Sequence, residues 1–416
     1  WIVNNYKYNN KCWNFDLVAK RIISWLSNHN LTYDESDQDY KNKFNKIILK
    51  QTNHLINEVN KSESFDDKLI GCASIILVGL CYQEEKRYLS FGTSLLRKIT
   101  KLSLDNSGFP KSRNIKQLIF YLKYFILIRE WLKESQNEIP DYLNEIIFYL
   151  GQSYNFIWQN TNQNFLFNGN QNNENYDFDK YLNFHNYKFK SESNEYGGYV
   201  VLRNKNIILS MDLGSSPERK FSDDYQSGAL SFEIFFKNCK LISNCGYFQK
   251  YKHQLNYISK SSASHSTLTL DNRSSCKFKK NSNNILKVDQ DLKVIKKTVL
   301  YEKKYWAIIG SHEGYLKKYG VIHERKLECF LEKNKFLGTD ILIKKKKFKS
   351  TNFEIRFHFE PGVKLTKTQD EKSILIELEN SGWKFSSKNN KIDVETGLYF
   401  GKKNSFVENQ NIFISG

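Results

Sequence analysis

Apolar residues in the first part of the chain recur at steps of three and four. Trp13 and Leu17 make such a pair, and so do Val18, Ile22 and Leu26, then Leu95, Ile99 and Leu102, then Leu143, Ile147 and Leu150. That spacing puts them on one helix face and predicts about six helices between residues 12 and 159. Pro140 fits the first turn of the last helix, where a missing N–H costs nothing. Short polar connections, Asn30 to Gln38 and Ser135 to Glu138, predict antiparallel neighbours.

The pattern breaks between Asn160 and Glu195, a stretch that carries FNGNQNNENYD and reads as a connecting loop or linker. From Gly198 onward the period becomes two. Ile207 to Met211, Leu230 to Phe236, Val294 to Tyr301, Trp306 to Ile309, Phe353 to Phe359 and Ser373 to Leu378 are β-branched or aromatic runs bounded by turn residues. Many short strands and few helices predict a β-sandwich. In FEIRFHFEPG the alternation puts Phe353, Ile355, Phe357 and Phe359 on the core face and assigns Glu354, Arg356, His358 and Glu360 to the outer face. Lys344 to Lys347 fall at a strand end, where lysine deters edge pairing.

Composition narrows the function classes. The chain has 416 residues, enough for two cores, and 15% aromatics argue against disorder. No apolar run reaches the length of a membrane span. The chain starts at Trp1 with no leader-like segment, which is expected if a leader is removed or the start is absent. The formal net charge is +18, which suits a polyanion, although an abundance of Lys, Asn, Ile, Tyr and Phe also marks an AT-rich coding background. Nucleic acid is excluded as a partner because no recognition motif accompanies the charge. The seven cysteines contain no CxxC pair and are odd in number, so free buried thiols are expected.

Several segments, taken in order, resemble one family. They are WNFDLVAKRIISWL, IILKQTNHL, DNSGFPKSRN and FLFNG in the helical part. In the strand part they are GYVVLRNKNIILSMDLGSS, GALSFEIFFKNCKLISNCGYF, SSASHSTLTLD and GVIHERKLECFLEKNKFLGTDIL. The sequence is similar to a bacterial subgroup of the heparinase II/III-like proteins. The resemblance implies an incomplete (α/α) toroid at residues 1–175 followed by an antiparallel β-sandwich at residues 176–416. It also implies β-elimination on an acidic, uronate-containing polysaccharide, with Tyr and His moving protons, and a periplasmic or cell-envelope setting. A cytoplasmic setting and a non-catalytic glycan-binding role stay open, and so does the oligomeric state.

The resemblance also marks departures. The subgroup's Gly-Gly-His-x-Ser-Arg loop reads Ser107 to Arg113 here, with Phe109 in place of His and with Ser112, Arg113 and Asn114 kept. Gln226 stands where the family has His at the head of the ALSFE strand. The positions matching a structural zinc site are Gln226, Asn244 and His265, a donor set zinc does not favour, so neither metal nor cofactor is expected. The proton carriers that remain are His323, His265 and Tyr225. Arg113, Ser112, Asn114, Gln226 and Arg325 are the candidates for holding the glycan. His323 and Arg325 share a strand face by period-two spacing, and the site is expected where the two halves meet.

Overall fold

The computed structural model describes residues 1–158, 164–172, 176–346, 351–388, 390–403 and 405–416. Lys347, at the end of the lysine run, lies outside the described residues. Contacts divide the chain into two compact units: Trp1–Gly108 with Gln117–Gly151, and Phe109–Lys116 with Gln152–Gly416. The expected boundary near residue 175 therefore falls inside the second unit. The short segment Phe109–Lys116 clusters with the strands rather than with the helices on either side of it.

The long helices are Phe15–Ser27, Gln38–Glu58, Phe65–Cys81, Lys86–Ser103, Ile115–Glu134 and Asp141–Ile157. Ser64 caps Phe65–Cys81 by accepting from the Asp67 N–H, and Asp37 caps Gln38–Glu58 by accepting from Tyr40, each satisfying a free donor of the first turn. Phe65–Cys81 packs antiparallel on Lys86–Ser103 at glycine contacts. A Cβ at Gly79 would stand 2.4 Å from the Leu89 nitrogen, and one at Gly92 would stand 2.5 Å from Ile76 Cγ1. Trp13, Val18, Ile22, Phe44, Ile48 and Leu55 fill the core on which these helices close.

Every strand pair in the second unit's sheets is antiparallel. A five-stranded sheet runs in sequence order through Glu195–Tyr196, Tyr199–Arg203, Ile207–Asp212, Phe232–Phe236 and Cys239–Ile242. One four-stranded sheet joins Lys335–Lys344, Val321–Phe330, Tyr305–His312 and Val294–Tyr301. Another joins Lys391–Tyr399, Val407–Ser415, Phe353–His358 and Leu268–Leu270. A three-stranded and a two-stranded sheet complete the unit. Met211, Phe232, Trp306, Ile355 and Ile412 come from all three larger sheets into one buried cluster, as a sandwich requires.

Two expectations are corrected. The supposed linker is partly core: Phe165, Leu166, Phe167, Asn168, Asn170 and Gln171 are all buried. The Leu166 N–H donates to Glu233 at 3.2 Å, and Phe167 stacks on Tyr199. His358 does not face solvent. On its face of the strand Glu354 and Arg356 stay half-buried, but the His358 ring is buried among Asn411, Cys245 and the Ala263 carbonyl. All seven cysteines are unpaired thiols, four of them buried, whereas Cys81 is exposed.

Candidate functional site

Arg113 precedes the helix Ile115–Glu134 and has φ of 60°, a left-handed backbone unusual for a side chain of this size. Its guanidinium is spent on the strands of its own unit. Nε donates to the Gly197 carbonyl at 2.9 Å, Nη1 to Gly214 and Ser215, and Nη2 to Gly198 and the Asp212 carboxylate. The Arg113 backbone carbonyl accepts from the Tyr199 hydroxyl at 2.6 Å, and the guanidinium lies over that ring. Gly214 makes room, since a Cβ there would stand 2.0 Å from Arg113 Cζ. Burial is the largest single influence and disfavours the Arg113 charge, but Asp212, with Tyr199 and Tyr225, together shift the pKa upward. Arg113 is thus a brace of the β unit rather than a free glycan-binding cation.

The Asn168 amide carries this brace onward. It donates to the Tyr199 hydroxyl and to Asp212, and its oxygen accepts from the Gln226 N–H. The Gln226 side chain is fully engaged, accepting from Gly169 and donating to the Gly246 and Ser259 carbonyls. Asn244 donates to Glu233 and accepts from the Ser266 N–H. Both amides are therefore committed to protein partners. Ser112 accepts from the Asn114 N–H, and Asn114 donates to Asp224 at 3.0 Å, so these two organise the turn before the helix. Phe109 is buried against Gly197 and Tyr199.

His323 and Arg325 do share partners, as their spacing predicts, but the partner is Asp340. Arg325 donates to it twice, at 2.8 and 3.0 Å, and spends its other nitrogen on the Leu230 and Ser266 carbonyls. His323 Nε2 meets Asp340 Oδ1 at 2.7 Å, and its Nδ1 meets His312 Nε2 at 3.2 Å. The Gly314 N–H donates to His312 Nδ1, which fixes the order: His312 Nε2–H donates to His323, and His323 Nε2–H donates to Asp340. Burial lowers the pKa of both imidazoles, while Arg325 and His323 outweigh burial to hold the Asp340 carboxyl below its usual range. His323 is 0% exposed with both nitrogens taken. The expectation that it carries protons to a substrate is corrected, as is the one that Arg325 holds a substrate carboxylate.

His265 differs in one respect. Its Nδ1–H donates to the Ser261 carbonyl at 2.9 Å, which leaves the Nε2 lone pair without a hydrogen-bond partner among the described residues. Burial pushes its pKa down to about 4, so the ring is neutral at pH 7. The Tyr225 hydroxyl also has no hydrogen-bond partner among the described residues, and burial raises its pKa well above the usual value. The Asp212 charge reaches both groups. Both are 1% exposed. Among the described residues an acceptor and a donor, each unsatisfied, thus lie within reach of the Asp212 charge.

The segment that sequence reasoning undervalued is Phe165–Gln171. Its polar groups hold Tyr199, Asp212, Gln226 and Tyr247 in place, and it rests on a buried ion pair. Lys240 Nζ lies 3.3 Å from Glu233 and 2.7 Å from the Asn164 carbonyl. The available signal was the FLFNG motif, whose two aromatics flank a leucine inside an otherwise polar stretch.

A helical unit followed by an antiparallel sandwich is the architecture of polysaccharide lyase-like proteins. The Heparinase II/III-like, C-terminal family matches residues 188–416, and the chain belongs to that family. Among solved structures it is similar to heparinase III, at 14% identity and TM-score 0.77, over 100% of this chain and 69% of that one. It is also similar to the heparan sulfate lyase HepC from Pedobacter heparinus, at 14% identity and TM-score 0.72, over 100% of this chain and 68% of that one. At that identity the likeness shows the fold. No curated protein matches the sequence.

Proposed function

We propose that this chain cleaves a uronate-containing acidic polysaccharide by β-elimination, with His265 as the base and Tyr225 as the acid. The observation that carries this reading is that two buried atoms, the His265 Nε2 lone pair and the Tyr225 hydroxyl, have no partner among the described residues. A buried polar group without a partner costs free energy, and a reacting ligand would supply one. In the reaction, His265 Nε2 takes the C5 proton and the released pair forms the C4–C5 double bond. The C4–O bond breaks, and the departing oxygen takes the Tyr225 proton. The proton then returns from His265 to Tyr225 through solvent. A neutral imidazole and a protonated phenol are the forms this assignment needs at neutral pH. The lyases HepC and heparinase III share the fold, which favours the reaction class.

The second reading is a glycan-binding protein of the same fold without turnover. It is favoured by the near-complete burial of both groups and by Phe109 and Gln226 at family histidine positions. Incubation with a panel of uronate polymers separates the two. Elimination predicts ultraviolet absorbance from the unsaturated product, lost in His265→Ala and Tyr225→Phe variants that still fold. Binding without absorbance supports the second reading.

A further inference from the structure

Within the second unit, a half-open groove of about 620 Å³ runs between residues 272–278 and 314–319. That volume lies in the range of ligand-binding clefts. Its lining includes four cations, Arg273, Lys277, Lys317 and Lys318, against one carboxylate, Asp291. All four cations are exposed. Lys277 is paired with Asp289 at 3.2 Å, whereas Arg273, Lys317 and Lys318 make no ion pair among the described residues.

The groove is also coupled to the unpartnered tyrosine. Cys276 and Phe278 line the groove and pack against Tyr225, whose ring centre is 6.2 Å from that of Phe278. The Ser275 hydroxyl, on the same wall, meets that of Ser227 at 3.0 Å. One layer of side chains thus separates the basic groove from the residues next to Tyr225.

We propose that this groove binds the acidic polysaccharide chain, with Arg273, Lys317 and Lys318 pairing with its carboxylate or sulfate groups. The proposal rests on the glycan reading above and adds where the polymer is held. Three cations, Arg273 on one side and Lys317 and Lys318 on the other, suit an anionic ligand lying between them. Exposed cations have long, mobile side chains, so the contact is electrostatic and weakens with salt.

The test is calorimetric titration with a size-defined, sulfated, uronate-containing oligosaccharide at low and physiological ionic strength, using R273A/K317A/K318A and the charge-preserving R273K/K317R/K318R. Exposed ion pairs are individually weak, so three together predict a loss of about tenfold in affinity at low salt. The charge-preserving variant should bind like the wild type, and unchanged melting should show that both variants fold. Equal affinity of the alanine variant and the wild type overturns the proposal. So does an oligonucleotide of equal charge that binds as tightly and competes, since the groove would then be a general polyanion surface. Product absorbance, followed in parallel, separates this idea from the lyase reading. Groove-dependent binding without unsaturated product sinks the reaction and keeps the groove. Product formation with affinity independent of the three cations does the reverse.

Discussion

Replacing Arg113 with alanine removes the brace between Phe109–Lys116 and the strands. The variant loses hydrogen bonds to the Gly197, Gly198, Gly214 and Ser215 carbonyls and leaves the Asp212 carboxylate without its cation. Breaking a buried ion pair from one side costs about 3–5 kcal/mol. Asp212 keeps the Gly214 N–H at 3.0 Å and the Asn168 amide at 3.2 Å, so the lower end, about 3 kcal/mol, is expected. For a cooperative unit of this size, that corresponds to a fall in Tm of about 6 °C. Urea titration read by hydrogen exchange of peptides from the strands Tyr199–Arg203 and Ile207–Asp212 measures the β unit separately from the helices. Adding Asp212→Asn to the variant should restore part of the loss, because the unpaired charge is then gone. Lys220→Ala, which removes an ion pair exposed on both sides, should change nothing measurable. A cost below about 1 kcal/mol for Arg113→Ala, or strictly additive losses in the double variant, would refute the assignment of Arg113 as a brace.

Other consequences can be measured independently. Gly214→Ala should destabilise the β unit through the clash with Arg113, and should cost much less when combined with Arg113→Ala. Glu233→Gln should leave Lys240 short of charge and loosen Phe165–Gln171, seen as faster exchange or proteolysis there; unchanged protection would show that the pair does not hold the segment. His265 and His358 have pKa values lowered to about 4 and about 3, and His312 and His323 are also lowered. The unfolded chain then binds more protons as pH falls through about 6.5, so stability is full above that pH and lost below it, at up to about 1.4 kcal/mol per pH unit for each histidine. Melting that stays flat from pH 8 to about pH 5 would contradict this.

The change of hydrophobic period from helix to strand was legible, because it is local. The strands Val294–Tyr301 and Ser373–Leu378 match their expected bounds, and Phe353–His358 differs by one residue. Where the reading failed, the partners were distant in sequence. Arg113 meets a carboxylate 99 residues away, and Leu166 meets Glu233 across 67. An Asn-rich stretch looks like a loop until its amides are seen capping buried backbone groups. His358 was misplaced because alternation cannot show that Cys245, Ala263 and Asn411, from elsewhere in the chain, cover that end of the strand. His323 and Arg325 were correctly paired on a face, but the carboxylate that absorbs both, Asp340, comes from the neighbouring strand. Phe109 and Gln226 were singled out through the resemblance, whereas their packing was not legible.

The central claim is that the buried His265–Tyr225 pair performs an elimination. Mass spectrometry of the fragments released from a uronate polymer tests it most directly. Elimination predicts that the new non-reducing ends are lighter by one water than hydrolysis would give and carry the unsaturated chromophore. It also predicts that His265→Ala and Tyr225→Phe abolish both signals while the melting transition persists. Fragments that retain the elements of water, or cleavage that survives both substitutions, would contradict it.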